Sequence, residues 1–175
     1  LEALDAALAD LLRSLPGDVG IVVTADHGML DIPPHRRLML DEICSECCEG
    51  EIAEFGGEPR MRSLYLAPGA DAVAVAERVG QAIGKLAWAG TRDEAIAAGW
   101  FGPVSDEVRP RLGEVIVAAR AQVAFTLSQD PPAALEMVGQ HGGLSSEERG
   151  VPLVLAGALA ESGFAAAVAQ IAKLV

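Results

Sequence analysis

Aromatic residues are scarce in this 175-residue chain: two Trp, one Tyr and four Phe, 4% of the sequence. That scarcity argues against an aromatic-rich β-sandwich, while plentiful Ala, Val, Leu and Gly suit closely packed α/β layers. Positive charge is also short. Thirteen Lys and Arg against 25 Asp and Glu leave a net charge of −12, and such a surface repels nucleic-acid phosphates, which argues against a polymer-binding role. No apolar run approaches a membrane span, and no signal peptide is visible. There is no initiator Met. The chain opens at Leu1 inside a helical pattern, reads as a piece of a longer polypeptide, and leaves the compartment open. Cysteines number three and sit together, as Cys44, Cys47 and Cys48. An odd, clustered count is no disulfide framework, and free thiols accord with a reducing compartment such as the cytoplasm.

What is present has an α/β rhythm. Leu1, Leu4, Leu8, Leu11, Leu12 and Leu15 recur at three- and four-residue steps, which predicts an amphipathic helix over 1–15. Pro16, Gly17 and Asp18 break it. Gly20-Ile21-Val22-Val23-Thr24 is a continuous, β-branched run, the pattern of a strand covered on both faces in a parallel sheet. Residues 31–60, rich in Pro, Gly and charge, read as a surface excursion with one short helix. A strand is expected at 63–66, then a helix capped by Asp71 whose apolar face carries Val75, Val79, Ile83 and Leu86. Another strand is expected around Trp88. Thr91 and Glu94 have capping-box spacing, with Gly99 placed to end that helix. Stretches 114–118 and 122–127 suggest a hairpin, 151–155 a last buried strand, and Phe164, Val168, Ile171 and Leu174 the stripe of a closing helix. No internal repeat or low-complexity linker is visible, so residues 1–175 read as one domain or part of one.

Two short segments carry chemistry. Asp26 and His27 fall where the first apolar strand runs out, and open α/β sheets bind ligands just beyond the carboxyl ends of their strands. A carboxylate and an imidazole there suit a cation such as zinc; equally, Asp26 can cap a turn and His27 can be a hydrogen-bonded core residue. Gly28 permits a sharp turn and a close backbone approach. In Gly139-Gln140-His141-Gly142-Gly143, glycines around an imidazole allow positive φ and suit a metal or an anion, or else a glycine-rich turn with a solvated His. Ser145 or Ser146, with the glutamates that follow, can cap a helical turn. Cys44-x-x-Cys47-Cys48 with His35 lacks the second half of a zinc knuckle and reads as free thiols. Arg60 can pair with a substrate phosphate or form a surface salt bridge with a nearby carboxylate. Trp88 and Trp100 read as packing residues.

The strand ending in VVTADHGM, followed by GGEPRMRSLYLAPGA, TRDEAIAAGWFGPVSDEVRPRLGEVIVAA and GQHGGLSSEERGVPLVL, resembles the bacterial type I phosphodiesterase/nucleotide pyrophosphatase branch of the alkaline phosphatase superfamily. The resemblance spans roughly residues 18–156. It implies a three-layer α/β/α domain with a mostly parallel central sheet, of which this chain is the C-terminal half. It implies two divalent metal ions about 4 Å apart that clamp a phosphoryl group. Asp26 and His27 match the pair that holds one ion, and His141 matches a ligand of the other. Zinc is the cation these ligand types suit best, with Mn²⁺, Fe²⁺ or Co²⁺ also accepted. The family's threonine nucleophile and remaining ligands precede the Asp-His pair. Only 25 residues precede Asp26 here, without a His, and Thr24 does not match the nucleophile. The expected activity is therefore hydrolysis of a small phosphodiester, pyrophosphate or nucleotide, performed with an N-terminal half of the same polypeptide, and the fragment alone is expected to be inactive. Phosphomonoesterase, sulfatase or phosphonate hydrolase activity is the alternative within the superfamily, and a non-catalytic binding domain the alternative outside it. A fragment beginning inside such a fold is expected to leave a sheet edge or helix face uncovered.

Overall fold

The computed structural model describes residues 1–172, and of residues 167, 170 and 171 the backbone alone. The helices are α1 Glu2–Ser14, α2 Leu40–Cys47, α3 Ala72–Ile83, α4 Arg92–Ala97, α5 Pro132–Glu136, α6 Ser146–Arg149 and α7 Phe164–Ile171. The strands are β1 Gly20–Thr24, β2 Leu30–Asp31, β3 Arg37–Met39, β4 Ile52–Glu58 and β5 Met61–Leu66, then β6 Ala87–Thr91, β7 Val115–Ala119, β8 Ala124–Thr126, β9 Gly139–Gln140 and β10 Leu153–Gly157. The chain is thus α/β. Among the described residues no helix is long and apolar enough to cross a membrane. It divides into two compact units, one made of Leu1–Asp26 with the segment from Val151 onward, the other of His27–Gly150.

In the first unit α1 forms as its leucine spacing predicts, yet none of its residues is buried. Leu8, Leu12 and Leu15 are half-buried; Leu1, Leu4 and Leu11 are exposed. Among the described residues β1 pairs only with β10, antiparallel, from Gly20 opposite Gly157 to Thr24 opposite Leu153. Val22, Leu153 and Val154 remain exposed, so within the described residues β1 is not the doubly covered strand, nor 151–155 the buried strand, that the sequence predicts. A β-branched run shows that a strand can be covered, but the covering layer must come from other residues. In α7, Phe164 and Val168 are exposed; the side chains of Ile171 and Leu174, expected on the same stripe, lie outside the described residues.

The second unit is built on a four-stranded antiparallel sheet ordered β4-β5-β7-β6. Every residue of β7 is buried, which explains its uninterrupted apolar sequence. Val115, Val117 and Ala119 face a core with Leu64, Phe125 and the α3 residues Val75, Val79 and Ile83. Asp71 caps α3 by accepting from the amides of Val73 and Ala74. Leu86, expected on the same stripe, falls after the helix end and is exposed. Thr91 and Glu94 form the capping box of α4.

Two expectations change here. Residues 31–60 are not a surface excursion: Ile32, Leu40, Cys44 and Cys48 are buried. Leu40 and Cys44 lie four residues apart on one face of α2, Cys48 just past its end is buried too, and Glu42, Ser45 and Glu46 occupy the solvent side. The short helix expected there is a core helix, and the charges that suggest a surface excursion form its outer face. Likewise β7 and β8 form no hairpin. β5 and β6 take both edges of β7, so β8 pairs instead with β3. Among the described residues the ladders are antiparallel except β3 with β8, whereas the mostly parallel central sheet is what the resemblance implies for the whole domain. Parallel neighbours need long crossovers, and the consecutive strands β4 and β5 are joined by a tight turn instead.

Candidate functional site

His27 opens the second unit and is followed at once by a constrained turn. The Gly28 amide donates to the Glu148 carbonyl at 2.7 Å. A Cβ on Gly28 would lie 1.9 Å from the Glu147 carbonyl oxygen, so only glycine lets the two backbones approach this closely. The chain then enters β2, which pairs antiparallel with β9, Leu30 opposite Gln140 and Asp31 opposite Gly139. That short ladder carries the segment after His27 alongside the segment before His141.

The result is a stacked pair of imidazoles. The rings of His27 and His141 lie 3.6 Å apart between centroids, with an interplanar angle of 12°. His27 Nδ1 sits 2.9 Å from the carbonyl oxygen of Gly28. If Nδ1 carries the proton it donates there, and Nε2 becomes the lone-pair nitrogen that a cation would use. His141 Nε2 lies 3.9 Å from Glu58 Oε2, too long for a hydrogen bond. Gly142 has φ of 105°, the positive value expected of this glycine-rich turn, and a Cβ there would come within 2.5 Å of the Glu58 Cβ. The β4–β5 turn is thus packed against the His141 loop. A cleft of about 200 Å³ opens beside His141, with Glu58, Arg62, Asp130, Met137 and Gln140 among its walls.

Behind the histidines lies a buried ion pair. Arg60, 1% exposed, donates from Nε to Glu148 Oε1 at 2.8 Å and from Nη2 to Glu148 Oε2 at 2.9 Å. Its Nη1 donates to the carbonyls of Ala121 and Val123. The guanidinium is enclosed by protein acceptors, so the expected contact with a substrate phosphate gives way to the expected carboxylate pairing, buried instead of on the surface. Glu148 Oε1 also accepts from the Gly143 amide at 2.8 Å, and Oε2 from the Ser145 amide at 3.3 Å. Burial by itself would push the Glu148 carboxyl up; the hydrogen bonds from Arg60, Gly143 and Ser145, with the Arg60 charge, outweigh it and hold the group below the usual carboxylate range.

Ser145 with Glu148 is a capping box on α6, legible three residues apart. The bond of Glu148 to Arg60, 88 positions away, has no signal in either local segment. Arg62 behaves similarly, donating to the Phe125 and Gly57 carbonyls and to Asp130 Oδ2.

Asp26 is the last residue of the first unit and immediately precedes His27 in the chain. Among the described residues no group of three or more His, Cys, Asp or Glu side chains is arranged to hold a metal. Two close imidazoles fit a divalent cation in kind but fall short of a full ligand set, which needs about four donors for zinc. The cysteines are free, with Cys44 and Cys48 buried. Burial, then the neighbouring thiols, pushes Cys44 up to about 12. Burial and the contact with Cys48 push Cys47 up to about 11. His35 is exposed in a short turn. Trp88 and Trp100 pack against each other at 6.1 Å.

No curated protein matches the chain. A phosphonoacetate hydrolase from Sinorhizobium meliloti 1021, in complex with phosphonoformate, superposes with a TM-score of 0.63 at 20% identity, over 86% of this chain and 38% of that one. Human ectonucleotide pyrophosphatase/phosphodiesterase 5 superposes with a TM-score of 0.62 at 13% identity, over 86% and 37%. The murine protein gives 0.60 at 17%, over 85% and 37%. These likenesses show a shared alkaline-phosphatase-like fold, of which the chain spans less than two fifths of each neighbour's length. The family model for type I phosphodiesterase/nucleotide pyrophosphatase matches residues 1–144, and the chain therefore belongs to that family.

Proposed function

We propose that this chain supplies part of a two-metal centre that hydrolyses a phosphodiester or pyrophosphate bond in a small molecule such as a nucleotide. Asp26 and His27 contribute to one divalent ion, zinc by ligand type, and His141 contributes to its neighbour. The observation that carries this reading is the stack of His27 on His141 at 3.6 Å, made by residues 114 positions apart. Rings that close could each present a nitrogen to one of two divalent cations. Such ions, when bound, supply the positive charge that an acidic protein otherwise lacks for binding and polarising a phosphoryl group.

The chain's own residues do the positioning. Gly28 lets His27 leave its turn against the Glu147 carbonyl. The β2–β9 ladder brings the two histidine segments together. The cleft beside His141 gives a substrate room on that side. The remaining ligands and the nucleophile come from an N-terminal half of the same polypeptide. The apolar residues that the first unit leaves exposed, Leu4, Leu11, Val22, Leu153 and Val154, support a further layer packing there.

The test is hydrolysis of a nitrophenyl phosphodiester with added zinc. The full-length polypeptide is expected to turn it over, and His27→Ala or His141→Ala to abolish turnover. The 175-residue chain alone is expected to be inert. Turnover by the chain alone that disappears in Asp26→Asn would show that it holds a complete centre. The Sinorhizobium meliloti neighbour is a phosphonoacetate hydrolase, so a phosphonate is the second substrate to assay.

A further inference from the structure

We infer that Glu148 is a positioning residue for the histidine pair, holding the His141 loop through its buried carboxylate and the His27 loop through its backbone carbonyl. The inference rests on the reading of His27 and His141 as metal ligands. Glu148 touches both loops. Its backbone carbonyl accepts from the Gly28 amide, one residue after His27, at 2.7 Å. Its side-chain Oε1 accepts from the Gly143 amide, two residues after His141, at 2.8 Å. The same carboxylate takes both Arg60 bonds. Arg60 lies in the β4–β5 turn, whose Glu58 packs on Gly142. The loop after His27 therefore meets the Glu148 backbone, while the loop after His141 and the β4–β5 turn meet its side chain, in a residue 3% exposed.

The chemistry requires a carboxylate. Each oxygen faces two donors: Arg60 Nε and the Gly143 amide at Oε1, Arg60 Nη2 and the Ser145 amide at Oε2. An ionised carboxylate accepts at about four lone-pair sites, whereas a glutamine amide has one accepting oxygen and turns an NH₂ toward donors on the other side. Glu148→Gln therefore keeps size and shape but sets donor against donor, either at Arg60 Nη2 with Ser145 or at Arg60 Nε with Gly143. The Gly143 amide is the direct link to His141. A capping role alone would need only the Ser145 contacts; the bonds to Gly143 and Gly28 place Glu148 on the two ligand loops.

The experiment uses the full-length polypeptide, zinc calorimetry, and the imidazole nitrogen signals of the metal-free protein. Loss of a partner that orients a ligand weakens metal affinity about 10–100-fold. Glu148→Gln is expected to weaken zinc by that factor, and to shift the ring signals of His27 and His141, with the circular-dichroism spectrum unchanged. Ser145→Ala, which removes the cap of the same helical turn, is expected to lower thermal stability and leave zinc affinity and ring signals unchanged. If Glu148→Gln does not fold, Arg60→Lys serves in its place: it keeps the charge, loses the bidentate fit, and is expected to weaken zinc in the same sense. Wild-type affinity and ring signals in Glu148→Gln or Arg60→Lys, with weakened zinc in His27→Ala and His141→Ala, overturn the inference and leave the ligand reading standing. Unchanged zinc affinity in both histidine variants overturns the ligand reading and the inference with it.

Discussion

Arg60 and Glu148 meet edge to edge, Nε on Oε1 at 2.8 Å and Nη2 on Oε2 at 2.9 Å, with side chains only 1% and 2% exposed. A pair this dry is costly to break from one side, because the remaining charge keeps its desolvation penalty and loses its partner. Arg60→Met is expected to destabilise the fold by about 3–5 kcal/mol, read from the urea midpoint. Arg60→Met with Glu148→Gln is expected to recover part of that loss, since no buried charge remains. A single variant as stable as the parent would show that water reaches the pair.

The same carboxylate predicts a pH dependence. Its folded pKa lies below the ordinary value of 4.5, so the unfolded chain takes up its proton first as pH falls. The stabilisation is therefore fully present above about 4.5 and is lost as pH drops through the lower folded value. In Glu148→Gln this contribution to acid destabilisation should disappear. Melting temperature against pH for the two proteins checks it.

The cysteines should resist alkylation. Burial and neighbouring thiols raise Cys44 to about 12 and Cys47 to about 11. At pH 8 Cys47 is then thiolate in about one molecule per thousand. Iodoacetamide labelling followed by mass spectrometry should proceed slowly at Cys47 and more slowly at Cys44. Rapid labelling of Cys44 in folded protein would contradict its burial.

Gly28 is the tightest backbone contact around the site. Gly28→Ala places a methyl carbon 1.9 Å from the Glu147 carbonyl oxygen, and backbone must move to admit it. The expected cost is about 1–3 kcal/mol, the range of overpacking, measured by thermal unfolding. The β2–β9 ladder lies immediately beyond, so zinc affinity of the full-length polypeptide should fall as well.

Local elements were legible because their causes are local. Asp71 caps α3 through the amides two and three residues on. Thr91 and Glu94 close their box within three residues. Ser145 does the same for α6, one of the two serines the spacing allowed. Long-range pairing was not legible. The 122–127 stretch looks like the return arm of a hairpin, but β7 has no open edge, so β8 runs beside β3. A short helix over 31–60 was legible, but not that Leu40 and Cys44 turn it into the core with Cys48 buried just past its end, where each cysteine serves as a small apolar side chain.

Taken alone, the amino-acid order determined which segments coil or extend, where helices start, and which side chains could serve as donors to a cation: Asp26, His27 and His141. Those outcomes depend on residues within a few positions of one another. Tertiary structure decided that His27 and His141 stack, and that the Arg60 guanidinium is committed to Glu148. Both depend on which strand edges remain open and on which buried charge needs a partner, and such quantities exist only once the chain has folded on itself.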